Sequence, residues 1–213
     1  MPSRKRSAKP RIHPSRYSKC PKCSSIKSKR ASLCRGCRFD KDRTIVSTDT
    51  FFIDNIPCRY IGLTKGQAGI VDAREYTRIN KHRWYAAFNK FTKSFYAIRY
   101  FDNERIWMAH EVLRTKSRRV DHRNHDTLDN RRCNLRPCNG GQNGANKRLF
   151  TNNTSEFKGV SLHKPTNKWR AEVTKLGART YLGLFSTREQ AAHAYDLKAI
   201  ELFGKFAHTN FAQ

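Results

Sequence analysis

Acidic residues are scarce in this chain, and so are long apolar runs. Only 17 Asp and Glu stand against 44 Lys and Arg, a formal net charge of +27 over 213 residues. Charge of that size opposes compaction unless a polyanion neutralises it, which makes nucleic acid the expected partner. No apolar stretch approaches the roughly 20 residues that span a bilayer, so no membrane partner is expected. The first ten residues, Met1 to Pro10, lack the apolar centre of a secretory signal. A reducing interior is the expected compartment, where the seven cysteines read as metal ligands or free thiols ahead of disulfides. With 37% hydrophobic and 11% aromatic residues, the chain can build modest cores but not one large one.

The positive charge is graded. Residues 1–43 hold 15 basic and 2 acidic side chains, residues 44–150 hold 20 and 10, and residues 151–213 hold 9 and 5. That gradient divides the chain into a basic arm with a cysteine-rich knuckle (1–43), a central unit (44–150) and a last unit (156–211). Met1 to Tyr17 has almost nothing to bury and is expected to order only on phosphate. Its Arg4-Lys5-Arg6 cluster reads either as a solvated basic tail or as a nuclear import signal.

Two C-x2-C pairs follow, Cys20 with Cys23 and Cys34 with Cys37. Each offers two thiolates at the bite of a tetrahedral zinc ion, and the segment between is long enough to bring the pairs together. Neither pair sits in the strand-then-helix setting of a redox dithiol, so a structural Zn2+ is expected to supply most of this piece's folding energy. Lys22, Lys27, Lys29, Arg30, Arg35 and Arg38 would then form a basic surface around it.

From Cys58 to Leu113 the chain alternates short apolar and aromatic runs with turn residues such as Thr92-Lys93 and Asn103-Glu104. This predicts an antiparallel sheet, with strands at 59–63, 69–72, 84–88, 95–101 and 106–113 and one short helix near Arg74 to Asn80. Thr151 to Glu156 reads as a polar linker. Beyond it, strands at 159–163, 168–175 and 179–185 precede a helix over 190–203, opened by a capping box from Ser186 to Glu189 and stopped by Gly204. Strand alternation puts Trp169, Ala171, Val173, Leu182 and Leu184 on one face, under the Ala-lined helix. Arg170, Glu172, Thr174, Arg179 and Tyr181 fall on the other, a free face able to enter a DNA major groove.

The chemistry concentrates between Val120 and Lys147. Asp121-His122 pairs a carboxylate suited to a hard divalent cation with an imidazole suited to take a proton from water near neutral pH. Asn124 to Asn130 favours turns and should form a wide loop, Asn134-Leu135-Arg136 resumes an extended segment, and Cys138 to Lys147 can turn into a short amide-rich helix. Such a strand, loop, strand and helix would return Asn143 to Asp121.

This stretch resembles the ββα-metal motif of HNH endonucleases, specifically the phage and intron-encoded homing type. The resemblance implies that His122 is the general base and that Asn134 holds it in register by bonding across the loop. It further implies that Asp121 and Asn143 ligate one Mg2+ or Mn2+, and that Arg136 contacts the scissile backbone or packs the loop. His110 matches a recurring histidine with either a core or a site role, while His125 and Asn146 are competing site candidates that also read as ordinary loop and helix residues. Cys133 and Cys138 read as buried or free thiols.

The last unit resembles the DNA-binding module of plant Apetala-two and ethylene-response-factor proteins. The matching residues are Lys158-Gly159-Val160, Lys168 to Val173, Tyr181 to Phe185, Ala191 to Asp196 and Thr209-Asn210-Phe211. The resemblance implies a three-stranded sheet on one helix, with Lys158, His163, Lys164, Arg170, Thr174, Arg179 and Tyr181 facing DNA.

The expectation is therefore a modular α+β protein: a zinc knuckle, an antiparallel sheet leading into a ββα-metal core, and a three-stranded sheet packed on one helix. It would hydrolyse one strand of double-stranded DNA as a monomer, in the cytoplasm of a phage-infected or bacterial host, or in the nucleus of a eukaryote. A non-catalytic, sequence-specific DNA-binding regulator with a relic nuclease region is the rival. An RNA-binding zinc protein is a third reading, which explains the charge but not the motif spacing.

Overall fold

The computed structural model describes residues 43–44, 46–149 and 153–211, together with the backbone of 17–19 and 26–28. The four knuckle cysteines, Cys20, Cys23, Cys34 and Cys37, lie outside the described residues, as does the basic arm before Tyr17. The described residues form antiparallel sheets with few helices. Among them no helix is long and apolar enough to cross a membrane.

Tyr17–Lys19 (β1) pairs antiparallel with Ile26–Ser28 (β2). The central unit then begins with Phe51–Ile53 (β3), Ile56–Gly62 (β4) and Ala68–Asp72 (β5), a meander in strand order. Asp54 and Asn55, both at positive φ (51° and 61°), make the two-residue turn between β3 and β4, the geometry whose twist matches flanking strands. Gly62 has no substitute: a Cβ there would lie 2.2 Å from the Thr44 carbonyl oxygen. Helix Ala73–Ile79 (α1) follows, and the buried Trp84 donates its indole N–H to the Ile79 carbonyl at 2.9 Å.

Tyr85–Asn89 (β6), Ser94–Phe101 (β7) and Glu104–Trp107 (β8) form a second meander. Asp102-Asn103 makes the β7–β8 turn, again at positive φ. Here the sequence expectation is corrected. The apolar run from Ile106 is not one strand, because the chain turns at Trp107 into helix Met108–Leu113 (α2), which ends on Arg114 in the left-handed region. That helix buries Met108, Ala109 and Val112 against Ile61, Leu63, Val71, Ile79 and Trp84, so one core joins both meanders.

Arg119–His122 (β9) and Leu135–Cys138 (β10) pair antiparallel, and helix Gly140–Ala145 (α3) follows directly. Asn139 caps α3 through its side chain on the Gln142 amide, and Gln142 returns the bond; the two reciprocal bonds satisfy otherwise orphaned N–H groups.

The last unit pairs Val160–His163 (β11), Lys168–Lys175 (β12) and Ala178–Phe185 (β13) under helix Arg188–Phe203 (α4). The capping box sits one residue later than expected, on Thr187 and Gln190. Strand alternation also slips. Ala171 pairs with Gly183 and Glu172 with Tyr181, so Leu182 is skipped. As a result Phe185, opposite Trp169, joins the helix-side core with Leu182, whereas Leu184 lies opposite Arg170 on the outer face. A one-residue irregularity reverses the facing of everything beyond it.

The expected linker is partly built into this unit. Ser155 is buried and donates to the Val160 carbonyl at 2.8 Å. At the far end, the buried Asp196 carboxylate accepts the backbone N–H groups of Asn210 (2.8 Å) and Phe211 (3.0 Å). Gly159 allows helix and sheet to close: its φ is +75°, and a Cβ there would lie 2.0 Å from the Tyr195 ring. Gly159→Ala combines left-handed strain with overpacking. It is expected to destabilise the last unit by about 2–5 kcal/mol, read as a lowered denaturant midpoint; an unchanged midpoint would contradict this packing.

Candidate active site

The loop between β9 and β10 is shaped by its own side chains. Asn124 Oδ1 accepts the Asp126 N–H and Asp126 Oδ1 accepts the Leu128 N–H, each at 2.9 Å, consecutive Asx turns that explain why this run of Asn and Asp bends. Asn134 is buried and bonds across the loop in two directions. Its Oδ1 accepts the Asn124 N–H at 2.9 Å, and its Nδ2 donates to the Asp129 carbonyl at 2.8 Å. The loop is also fastened to β5, since Ile70 N–H donates to Leu128 O and Asn130 N–H to Ile70 O, both at 2.8 Å. A buried ion pair, Arg131 to Asp129 at 2.8 Å, locks its far side.

His122, the last residue of β9, is 7% exposed. Burial holds its pKa below the ordinary imidazole value, opposed by a hydrogen bond with the Asn130 side chain and by the carboxylates of Asp121, Asp129 and Asp126. Neutral imidazole is the form this environment favours. The bond from Asn130 favours the protonated ring, as an accepting Oδ1 does, while Asn130 Nδ2 donates to the Leu128 carbonyl. Nε2 of His122 is buried without a hydrogen-bond partner among the described residues. The tautomer consistent with this arrangement carries its proton on Nδ1 and leaves the Nε2 lone pair free.

Asp121 is equally buried, and Arg136 meets it from the adjacent strand. Nε and Nη2 of Arg136 lie 2.8 Å and 2.7 Å from Asp121 Oδ2. Asn146, just past α3, donates its Nδ2 to both carboxylate oxygens at 3.0 Å and to the His122 carbonyl at 3.1 Å. Sequence reasoning set Asn143 beside Asp121 and kept Asn146 in reserve. In the structure Asn146 holds the carboxylate, while Asn143, one helical turn earlier, lines the same cavity, its side-chain amide without a hydrogen bond among the described residues. The cavity measures about 330 Å³ and is lined by Asp121, His122, Asn143 and Asn146, with Thr92, Ser94, Lys147 and Arg148 among its remaining walls.

Could this cavity hold a metal? Among the described residues no three His, Cys, Asp or Glu converge. Its hard donors are the Asp121 carboxylate, whose Oδ1 carries a single hydrogen bond, and the free amide of Asn143. That set fits a small hard cation that keeps several waters and takes its remaining ligands from phosphate, and it gives little purchase to softer metals.

Arg136, expected either at the scissile backbone or packed on the loop, lies inside the protein. It is buried, with its guanidinium committed to Asp121, to the Lys205 carbonyl and to the Phe206 ring 4.2 Å away. Lys158, also expected to face DNA, lies against α3. Its ammonium donates to the carbonyls of Ala145 and Lys147 at the C-terminus of α3, and burial pushes its pKa down to about 8. Of the remaining expected DNA contacts, Arg170, Thr174, Arg179 and Tyr181 stand on the outer face of the last sheet, where Tyr181 is 57% exposed and Arg170 and Arg179 share Glu172 at 3.6 and 3.7 Å, while Lys164 is exposed in the turn between β11 and β12. His163 Nδ1 lies 2.8 Å from the Thr166 hydroxyl.

His125 donates Nε2–H to the Asn146 carbonyl, and its ring lies 4.9 Å from that of His208, tilted by 33°. His110 lies half-buried near a neighbouring cavity of about 240 Å³, with Nδ1 unpartnered. Sequence reasoning passed over Asn130, Asp129 and His208. The first two are indistinguishable by composition from the turn residues around them, and His208 approaches only through the fold.

Neither a family model nor a solved structure matches the chain. An uncharacterized HNH endonuclease of Acanthamoeba polyphaga mimivirus is 31% identical over 182 residues, which covers 81% of this chain and 91% of that one. The end of the chain has a separate likeness. The AP2-like ethylene-responsive transcription factor AIL5 of Arabidopsis thaliana is 41% identical over 64 residues, 29% of this chain and 12% of that one. APETALA2-like protein 2 of Oryza sativa is 45% identical over 64 residues, 14% of its length. Similarity to the viral protein over most of both chains gives the family: this chain belongs to the HNH endonucleases.

Proposed function

We propose that the chain is a divalent-metal-dependent endonuclease that nicks double-stranded DNA as a monomer, its last unit selecting where it acts. The observation that carries this reading is the unpartnered Nε2 of a buried, neutral His122 on the same cavity as Asp121 and the free amide of Asn143.

His122 would take the proton of an attacking water at Nε2, while the Asn130 oxygen on the other side of the ring steadies the imidazolium that forms. Asn134 keeps the base at the cavity by tying both sides of the loop together. Asp121 and Asn143 would hold Mg2+ or Mn2+, which when bound stabilises the charge developing on the phosphate and its leaving oxygen. Arg136 is a positioning residue that fixes the carboxylate to the opposite strand. One base and one cation serve one strand, hence a nick. Lys147 and Arg148, exposed beside the cavity, supply cations for phosphate.

The two C-x2-C pairs, Cys20 with Cys23 and Cys34 with Cys37, are proposed to hold one structural zinc ion per chain. The division into knuckle, nuclease unit and DNA-reading unit follows the same reading. Likeness to plant transcription factors over the last 64 or so residues supports DNA binding there. Taken alone it would also support a regulator without catalysis.

A plasmid assay separates the two. Supercoiled DNA with Mg2+ or Mn2+ should become open-circular, and His122→Ala should slow this about 10²–10⁴-fold without loss of binding. Intact plasmid in the presence of bound wild-type protein would leave the regulator. Because burial lowers the His122 pKa, base form persists into mild acid, so the rate should fall only as pH drops below the ordinary imidazole value; an inflection above that value would contradict the assignment. Asn143→Ala should raise the half-saturating Mg2+ concentration by about tenfold or more with the melting temperature unchanged. Asn146→Ala, which removes the bonds to a buried carboxylate, should instead lower the melting temperature.

A further inference from the structure

The recessed base raises a difficulty. Duplex DNA is stiff over tens of base pairs, and an imidazole that is 7% exposed at the wall of a cavity of about 330 Å³ is poorly placed for a phosphate on a straight helix. A device beside the cavity that deforms the DNA would bring the phosphate within reach.

The turn between β6 and β7 supplies a candidate. Phe91, at its tip, is 86% exposed, more than any other large hydrophobic side chain among the described residues. Lys90 and Lys93 flank it; neither forms an ion pair among the described residues, and the Lys90 ammonium lies 5.3 Å from the ring centroid. The tip is a built turn. Asn89 Oδ1 accepts the Phe91 N–H at 2.9 Å and the Thr92 N–H at 3.4 Å, Ser94 donates its hydroxyl to the Thr92 carbonyl at 2.9 Å, and Lys93 takes a positive φ of 50°. Thr92 and Ser94, the neighbours that carry the tip, line the cavity of Asp121, His122 and Asn143. An exposed aromatic ring on a cationic turn therefore stands beside the candidate site.

We propose that Phe91 is a DNA wedge: its ring inserts between adjacent base pairs next to the phosphate presented to the cavity, unstacking the step and kinking and unwinding the duplex toward His122. An apolar side chain driven between base steps is a recurrent way to bend DNA, and Lys90 and Lys93 reach the phosphates on either side of the step. The lysines favour a polyanion over an apolar protein surface as the partner of this tip. The proposal rests on the DNA-binding part of the reading above and does not require hydrolysis.

The test uses the full chain carrying His122→Ala, so that nicking cannot interfere. Nicked circular plasmid is saturated with protein, sealed with DNA ligase, stripped of protein and resolved into topoisomers, with bound protein followed by gel retardation. The parent should shift the topoisomer distribution toward unwinding. Phe91→Ala should lose most of that shift while plasmid binding weakens less than about tenfold, since the phosphate contacts remain. Phe91→Leu, still apolar, should keep most of it. Because the side chain is solvent-exposed, the melting temperature should be the same in all three. No shift from the parent at saturation, or a shift unaffected by Phe91→Ala, overturns the wedge, and in the second case the turn is left as a surface for a protein partner. Failure of the parent to bind plasmid overturns the wedge and the DNA-binding reading together, whereas failure of the wild type to nick in Mg2+ leaves the wedge standing.

Discussion

The contact on which the site depends is the buried pair between Asp121 and Arg136. The two residues are direct cross-strand partners in the β9–β10 ladder, so strand register and charge neutralisation are one event. A slip by one residue would turn Asp121 to the opposite face and leave a buried charge uncompensated. Burying a carboxylate is expensive in isolation, and here a guanidinium and the Asn146 amide share the cost. Arg136 then reaches past the site to the Lys205 carbonyl and the Phe206 ring. Its position is fixed from both sides.

That reach makes the last unit structurally continuous with the cavity. Lys158 occupies the carbonyl end of α3, the helix that presents Asn143; the His208 ring packs at a tilt against His125; and Phe206 packs with Cys138 and Ala145 at the foot of the same helix. A side chain expected to read DNA is spent on holding two units together. The physical reason is location, because a helix C-terminus carries unpaired carbonyls and attracts a nearby cation. DNA engaged by the outer face of the last sheet would consequently be held at a fixed offset from His122.

Much of this was legible in residue order, and the parts that were not share a cause. Local signals held up well where chemistry is local. The β9 and β10 strands, the Asn-rich loop and the amide-rich helix follow from turn formers set between extended segments, and Gly204 ends α4 as its backbone requires. What failed involved tertiary geometry. The chain leaves strand for helix at Trp107, where Met108 and Val112 enter the core, although apolar residues continue on both sides of His110 and Glu111. Leu184 turned outward because a single skipped residue is invisible to alternation. Asn143 and Asn146 lie three residues apart on one helical face, so spacing alone could not say which would meet the carboxylate.

The central claim is that a neutral imidazole on a cavity of about 330 Å³ activates water against DNA. It is tested most directly by nicking plasmid in H2 18O under single-turnover conditions and analysing the new strand end by mass spectrometry. The account predicts one 18O atom on the terminal phosphate and none above background with His122→Ala. A nicked product without the label, or labelled product at the same rate from the His122→Ala protein, would contradict it.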